Sequence, residues 1–235
     1  MEAIYKEYVS ETFDANGTLT NIGFRYPDTF NYAFDVLDEI ARRTPDALAM
    51  LWCDEAGSER RFTFRDISEL SNRAANVFRS VGIRKGDRVM LVLKRHYQFW
   101  YAIMGLEKVG ALAIPATHLL TAHDYVYRFN QAGVSAIVCT EEGWTVPAVL
   151  EAEAESPTLK TKMIVHGSHE GFLDFDAIIE AASISASKSR KPSWVPWTSI
   201  LVLSVGDSFS ASRIDGIVQP SAVQTMAETP AWLKR

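Results

Sequence analysis

The residues of this chain that could do chemistry are few, and their spacing argues against most of what they could do. His118 and His123 stand five apart, whereas side chains on one helical face recur at three or four, so they do not form a metal clamp. His166 and His169 flank Gly167 in a predicted strand-end turn, a setting for two solvated imidazoles rather than a ligand pair. Cys53 and Cys139 fall inside the apolar runs LAMLWC and SAIVC and are expected as buried free thiols. The segment GIRKGDRV (82–89) combines glycines with cations as a phosphate loop would. Its polarity is wrong: it ends a helix and enters a strand, while a phosphate cradle leaves a strand and opens a helix, so Gly82 is expected as a helix stop and Gly86 as a turn residue.

Two candidate positions survive. Thr117 and His118 follow the run ALAIPA, and Thr140 and Glu141 follow SAIVC. Open parallel sheets bind ligands beyond the carboxyl ends of their strands, which is where these four residues are expected. The competing reading is that Thr117 and His118 lead into a helix cap and satisfy backbone groups.

The elements that must position them follow from hydrophobic period. Strands are predicted at 48–53, 61–64, 88–93, 111–116, 135–140 and 162–167, most of them solidly apolar, as strands covered on both faces by crossover helices would be. LAMLWC and RFTF are separated by the turn-like DEAGSER, so these two could instead pair as an antiparallel hairpin at an edge. A helix is predicted from the recurrence of Ile67, Leu70, Ala74, Val77, Phe78 and Val81 before Gly82. A second runs from about Tyr97 to Gly110, with Tyr97, Trp100, Tyr101, Met104 and Leu106 making it apolar on most sides and therefore deeply packed. A third opens after Thr121, an N-cap with Asp124 in its first turn, and stops at Gly133. The expected architecture is a mostly parallel α/β layer over 30–182, preceded by an extension (1–29). It is followed by a Ser-rich linker and tail (183–235) holding one more apolar run, SILVLSVG (199–206).

Composition removes whole classes of function. The 235 residues are 47% hydrophobic and 23% charged, with a net charge of −5 and no basic cluster interleaved with aromatics, so nucleic acid is not an expected partner. The acidic start MEAIYKEYVSETFDANG is unlike a signal peptide, and no run approaches the ~20 apolar residues that span a bilayer, which makes cytoplasmic the expected location.

Three blocks in order, FNYAFDVLDEIARRTPDALAMLW, RFTFRDISELSNRAANVFRSVGIRKGDRVMLVLKRHYQFW and EKVGALAIPATHLLTAHDYVYRFNQAGVSAIV, resemble the amino-terminal part of the adenylate-forming, AMP-binding enzymes, specifically their acyl-CoA synthetases. The resemblance implies the N-terminal subdomain of that fold. It also implies a parent reaction in which a carboxylic acid, short- or medium-chain fatty acids by the wording PATHLL, is activated by ATP and magnesium and transferred to coenzyme A. By the same resemblance, Thr117, His118, Thr140 and Glu141 lie on the side where the CoA nucleotide enters. The family's Ser/Thr/Gly loop ending in Pro-Lys should follow SILVLS, yet the chain reads VGDSFSASRIDG, where Ser208, Ser210 and Ser212 are joined by no Pro-Lys cation. The sequence therefore predicts no ATP, magnesium or CoA firmly held and no turnover by this chain alone, and a parental reading frame interrupted near Lys191. A non-catalytic interaction module of the same fold is the rival reading. A small doubly wound hydrolase or flavodoxin-like enzyme finds neither G-x-S-x-G nor G-x-G-x-x-G.

Overall fold

The structure, a computed structural model, describes residues 4–184. The expectations for the apolar run 199–206, the tail beyond Asp207 and the break near Lys191 lie outside the described residues. The chain opens with a hairpin of β1 (Val9–Phe13) and β2 (Leu19–Phe24). A helical segment follows, π-wound over Ala33–Asp38 and continuing as α1 (Glu39–Arg43). Asn31 fixes its start: its side-chain oxygen accepts from Phe34 N–H, and Asp35 accepts from Asn31 N–H in return. A second hairpin joins β3 (Leu48–Cys53) to β4 (Glu59–Thr63), antiparallel as the turn-like DEAGSER allows, but as a separate two-stranded sheet and not an edge of the main one.

From there strands and helices alternate: α2 (Phe64–Ser80), β5 (Arg88–Val92), α3 (Gln98–Val109), β6 (Leu112–Pro115), α4 (Ala122–Ala132), β7 (Val134–Thr140), α5 (Thr145–Glu153), β8 (Thr161–Val165), β9 (Leu173–Asp174) and α6 (Phe175–Ala181). The main sheet has the order β6-β5-β7-β8-β9, and every pairing in it is parallel. Its strands read as continuous apolar runs because both faces are covered. Successive residues serve opposite layers: Val89 and Leu91 with Ala136, Val138, Met163 and Val165 pack under α2, α3 and α6. Met90 and Val92 with Ile137, Cys139 and Ile164 pack under α4 and α5. Each Val, Leu, Ile or Met among them, fully buried, contributes about 1.5–3 kcal/mol of transfer free energy.

Local chemistry sets the boundaries. Thr63 and Asp66 form a reciprocal capping box on α2, and Thr121 and Asp124 form another on α4. Left-handed Gly110 and Gly133 close α3 and α4. The loop after α2 is structural, as its polarity predicted: Gly82 and Gly86 take φ of 92° and 85°, and Gly86 N–H donates to the Gly110 carbonyl. Two expectations need correction. Cys53 is exposed because the β3–β4 hairpin is covered on one face only, while Cys139 is buried and its thiol is pushed up to about 12 by desolvation. Trp100 is also exposed, since α3 packs through Tyr101, Ala102, Leu106 and Val109 and turns Trp100 outward.

Candidate functional site

The carboxyl ends of β5, β6, β7 and β8 lie along one edge of the main sheet, as parallel pairing requires. After β6, Thr117 is exposed and its hydroxyl accepts from Leu119 N–H at 3.3 Å, while His118 is half-buried. The local hydrogen bond is the backbone-satisfying role weighed for this pair. After β7, Thr140 is 1% exposed and its hydroxyl has no protein partner. Glu141 is exposed, and its carboxylate lies against Gly167 at the end of β8, where a Cβ would come within 2.3 Å of Oε2. Of the four candidates, Thr117, His118 and Glu141 reach solvent and Thr140 does not.

The densest polar grouping on this edge follows β5 and β8. Lys94 and His96 both reach Glu142 on the β7–α5 loop: Lys94 Nζ donates to Oε2, and His96 Nε2 is 3.1 Å from Oε1. That pairing holds the Glu142 carboxyl below its ordinary range, the Lys94 hydrogen bond contributing most. Behind it Gln98, fully buried, donates from its amide nitrogen to Asp176 Oδ1 and to His166 Nε2, each at 2.9 Å. An accepting Nε2 places the ring proton of His166 on Nδ1, which faces Asp176 Oδ2 at 3.5 Å. The His96 and His166 rings are 4.9 Å apart, and Tyr97 abuts His166 while receiving a hydrogen bond from Arg60 at 2.6 Å. Among the described residues, Lys94 and His166 are the non-glycine residues with positive φ, 44° and 54°. Both sit where a strand ends and the chain must turn sharply.

The histidine pair near Gly167 thus divides. His169 stays at the surface against Phe172, while His166 is tied to Gln98 and Asp176. Sequence reasoning missed Lys94, His96, Gln98 and Glu142. The signal was available: the same rule that singled out the residues after β6 and β7 applies to Lys-Arg-His directly after β5.

A profile of the family described as AMP-binding enzyme matches residues 37–204. The chain belongs to this family. It is 37% identical over 185 residues to acyl-coenzyme A synthetase ACSM1, mitochondrial, of Mus musculus, which covers 74% of this chain and 32% of that protein. It is 34% identical over 179 residues to acyl-coenzyme A synthetase ACSM4, mitochondrial, of Homo sapiens, covering 73% and 30%. The chain therefore spans about a third of the length of these curated relatives. Among solved structures, the acetoacetyl-CoA synthetase from Streptomyces lividans superposes with a TM-score of 0.59 at 24% identity, over 66% of this chain and 25% of that one. The anthranilate CoA ligase AuaEII in complex with anthranoyl-AMP gives 0.58 at 23% identity, over 68% and 30%. At these identities the likeness establishes the fold.

Within the segments that carry the AMP-binding resemblance, KRHYQFW and PATHLL bring Lys94, His96, Gln98, Thr117 and His118 to the sheet edge, and other parts hold the helices together. RFTFRDISELSN supplies the capping box and opening turns of α2. In EKVGALAIPATHLL, Lys108 is buried beneath Phe34, donating to Asp38 at 2.7 Å and Asn72 at 2.8 Å, and so ties α3 to α2 and to the π-wound turn before α1. AMP-binding CoA ligases depend on ATP and coenzyme A. Residues 199–235 offer no Ser/Thr/Gly loop ending in Pro-Lys. Among the described residues no three His, Cys, Asp or Glu side chains are arranged to hold a metal ion. No helix among the described residues is long and apolar enough to cross a membrane.

Proposed function

We propose that this chain carries the amino-terminal scaffold of an AMP-forming acyl-CoA synthetase acting on short- or medium-chain fatty acids, and that it completes no turnover by itself. The observation behind the second half is the missing Pro-Lys loop after the run 199–206. Acyl-adenylate formation brings a carboxylate against a phosphate, and oriented amides, cations and metal stabilise that crowded charge. Losing one such donor costs ~10²-fold or more in rate, so losing the loop brings turnover to the limit of detection. Purified chain given ATP, magnesium, CoA and a panel of fatty acids should form no acyl-CoA above background. ATP-dependent thioester formation retained by material free of host ligase would overturn the proposal.

The CoA-facing role belongs to Thr117, His118 and Glu141, with Thr140 beneath them as support. Weak CoA binding, read by isothermal titration and reduced by His118→Ala, is the expected trace of that role. A second reading, a non-catalytic interaction module, is favoured by one observation: Phe13, Leu19, Ile22 and Phe24 of the β1–β2 hairpin are large, apolar and exposed.

A further inference from the structure

The turn of the β1–β2 hairpin carries a reactive pair of residues far from the sheet edge. Asn16 and Gly17 form the one Asn-Gly step in the chain; the other asparagines, Asn21, Asn31, Asn72, Asn76 and Asn130, are followed by Ile, Tyr, Arg, Val and Gln. The backbone nitrogen after an asparagine can attack that asparagine's side-chain carbonyl, and a following side chain shields the nitrogen. Glycine has no side chain to do so. The pair sits in a loop of Ala15, Asn16 and Gly17, closed by Asp14 N–H donating to the Thr18 carbonyl at 2.9 Å. Asp14 shapes this loop: its Oδ1 accepts from Asn16 N–H at 2.8 Å and Thr18 N–H at 2.9 Å, and its carbonyl accepts from Gly17 N–H at 3.0 Å. Gly17 has a φ of 79°, the left-handed conformation such a loop requires, and nothing lies within 4 Å of where a Cβ would stand. Residues 10–22 are all exposed. By contrast the side-chain amides of Asn31, Asn72, Asn76 and Asn130 are held by hydrogen bonds with Glu107, Lys108, Ser183 and Glu155 respectively.

We propose that Asn16 is a site of spontaneous covalent modification, through a succinimide formed with Gly17, and that the product breaks the hairpin turn. Gly17 N gives its proton to a solvent base and attacks Asn16 Cγ. The N–Cγ bond forms, the Cγ–Nδ2 bond breaks, and Nδ2 takes a proton from water and leaves as ammonia. A second water then opens the ring at either carbonyl. Cleavage between Gly17 N and Cγ gives an ordinary aspartate. Cleavage between Gly17 N and the Asn16 main-chain carbonyl gives isoaspartate, in which the chain runs on through Cβ and Cγ. The attack requires Gly17 N to leave its hydrogen bond to the Asp14 carbonyl, so the rate is the intrinsic one scaled by the fraction of open turns. A two-stranded hairpin with a bare apolar face opens readily. Both products add a negative charge beside Asp14, but only isoaspartate lengthens the backbone. Gly17 N–H and Thr18 N–H then no longer both reach Asp14, and the pairing of Phe13 with Leu19 beyond the loop is lost.

The test incubates the full chain at mildly alkaline pH, where more of the Gly17 nitrogen is deprotonated, and follows digests by reversed-phase separation and mass spectrometry. Asn16 should lose its amide before every other asparagine, and isoaspartate and aspartate should both form there. Loss no faster than at Asn21, exposed in the same hairpin but followed by Ile22, would overturn the site. Aspartate alone would overturn the succinimide. In urea, with the turn abolished, Asn16 should convert faster than in the folded chain. Gly17→Ala in urea, where turn strain plays no part, should be slower by roughly tenfold, about 1.4 kcal/mol of barrier, and an equal rate would overturn the role of Gly17. The aged, more acidic chain, collected by ion exchange, should lose the nuclear Overhauser contacts between Phe13 and Leu19 in proportion to its isoaspartate content. Asn16→Asp, with the same added charge and an ordinary backbone, should keep them. Full contacts in the isoaspartyl chain would overturn the broken turn.

Discussion

Glu107 and its neighbour Lys108 show how two adjacent ionisable residues on one helix can have opposite fates. Lys108 is 1% exposed but keeps its charge partner, Asp38. Burial lowers its pKa and the Asp38 carboxylate works against that. Glu107 is half-buried, but one of its carboxyl oxygens is enclosed and lacks any protein partner. Desolvation pushes its pKa from 4.5 to about 7, the hydrogen bond from Ala33 N–H offsetting part of the rise. The folded protein therefore holds this proton at pH values where the unfolded chain has released it. Stability falls as pH rises from about 4.5 to about 7 and levels off above, by an upper bound of roughly 3 kcal/mol. Glu107→Gln keeps the acceptor for Ala33 and removes the titration. Urea unfolding of the two proteins should give Glu107→Gln its largest advantage above pH 7 and none below pH 4.5, and a constant gap across that window would refute the assignment.

Among the elements, the crossing of α2 and α3 is set by small residues. A Cβ added to Gly105 would stand 2.6 Å from the Cβ of Ala74 and 3.0 Å from the backbone nitrogen of Ala75. Both neighbours belong to a packed helix and cannot swing aside as a long side chain could. Alanine is favoured over glycine in a helix by about 1 kcal/mol, but overpacking costs about 1–3 kcal/mol. Gly105→Ala should therefore destabilise the fold by roughly 1–2 kcal/mol in equilibrium unfolding. Combining it with Ala74→Gly, which reopens the space, should recover part of that loss. A stabilised Gly105→Ala protein would mean that the helices sit further apart than described.

For the molecule as a whole, the β1–β2 hairpin is the part whose apolar surface lacks a covering layer among the described residues. Its register opposes Val9 to Phe24, Glu11 to Ile22 and, past a bulge, Phe13 to Leu19, so the apolar residues share a face while Ser10, Thr12 and Asn21 take the other. Phe24 is 69% exposed and Phe13 54%. Exposed patches of this kind mark contact surfaces. The double change Phe13→Ser with Phe24→Ser should lower the fluorescence of a bound apolar dye by about half. It should leave the unfolding free energy within about 0.5 kcal/mol, because surface substitutions remote from a core contribute little. Undiminished dye binding would show that the face is already covered.

The sequence by itself determined the elements that repeat a strong local signal. The apolar runs of β5, β7 and β8, the period of α2 and the Thr–Asp caps of α2 and α4 each lie within a few residues of their own cause, so they were legible before any fold was known. The parallel pairing followed too, since helices alternating with doubly covered strands leave little else. The short elements were not legible. Helix α5 has apolar residues on most sides and no side-chain cap, and β9 has two residues, so neither carries a period. Nor could spacing reveal the exposure of Cys53, which depends on the β3–β4 hairpin standing as its own sheet. The polar grouping at the sheet edge was decided by tertiary structure alone. Lys94 lies 48 residues from Glu142, Gln98 lies 68 from His166 and 78 from Asp176. They meet because β5 and β8 flank β7 in the sheet and end on the same edge. Sheet order of that kind is fixed by the packing of two helical layers on opposite faces, a property of the whole chain that no local pattern encodes.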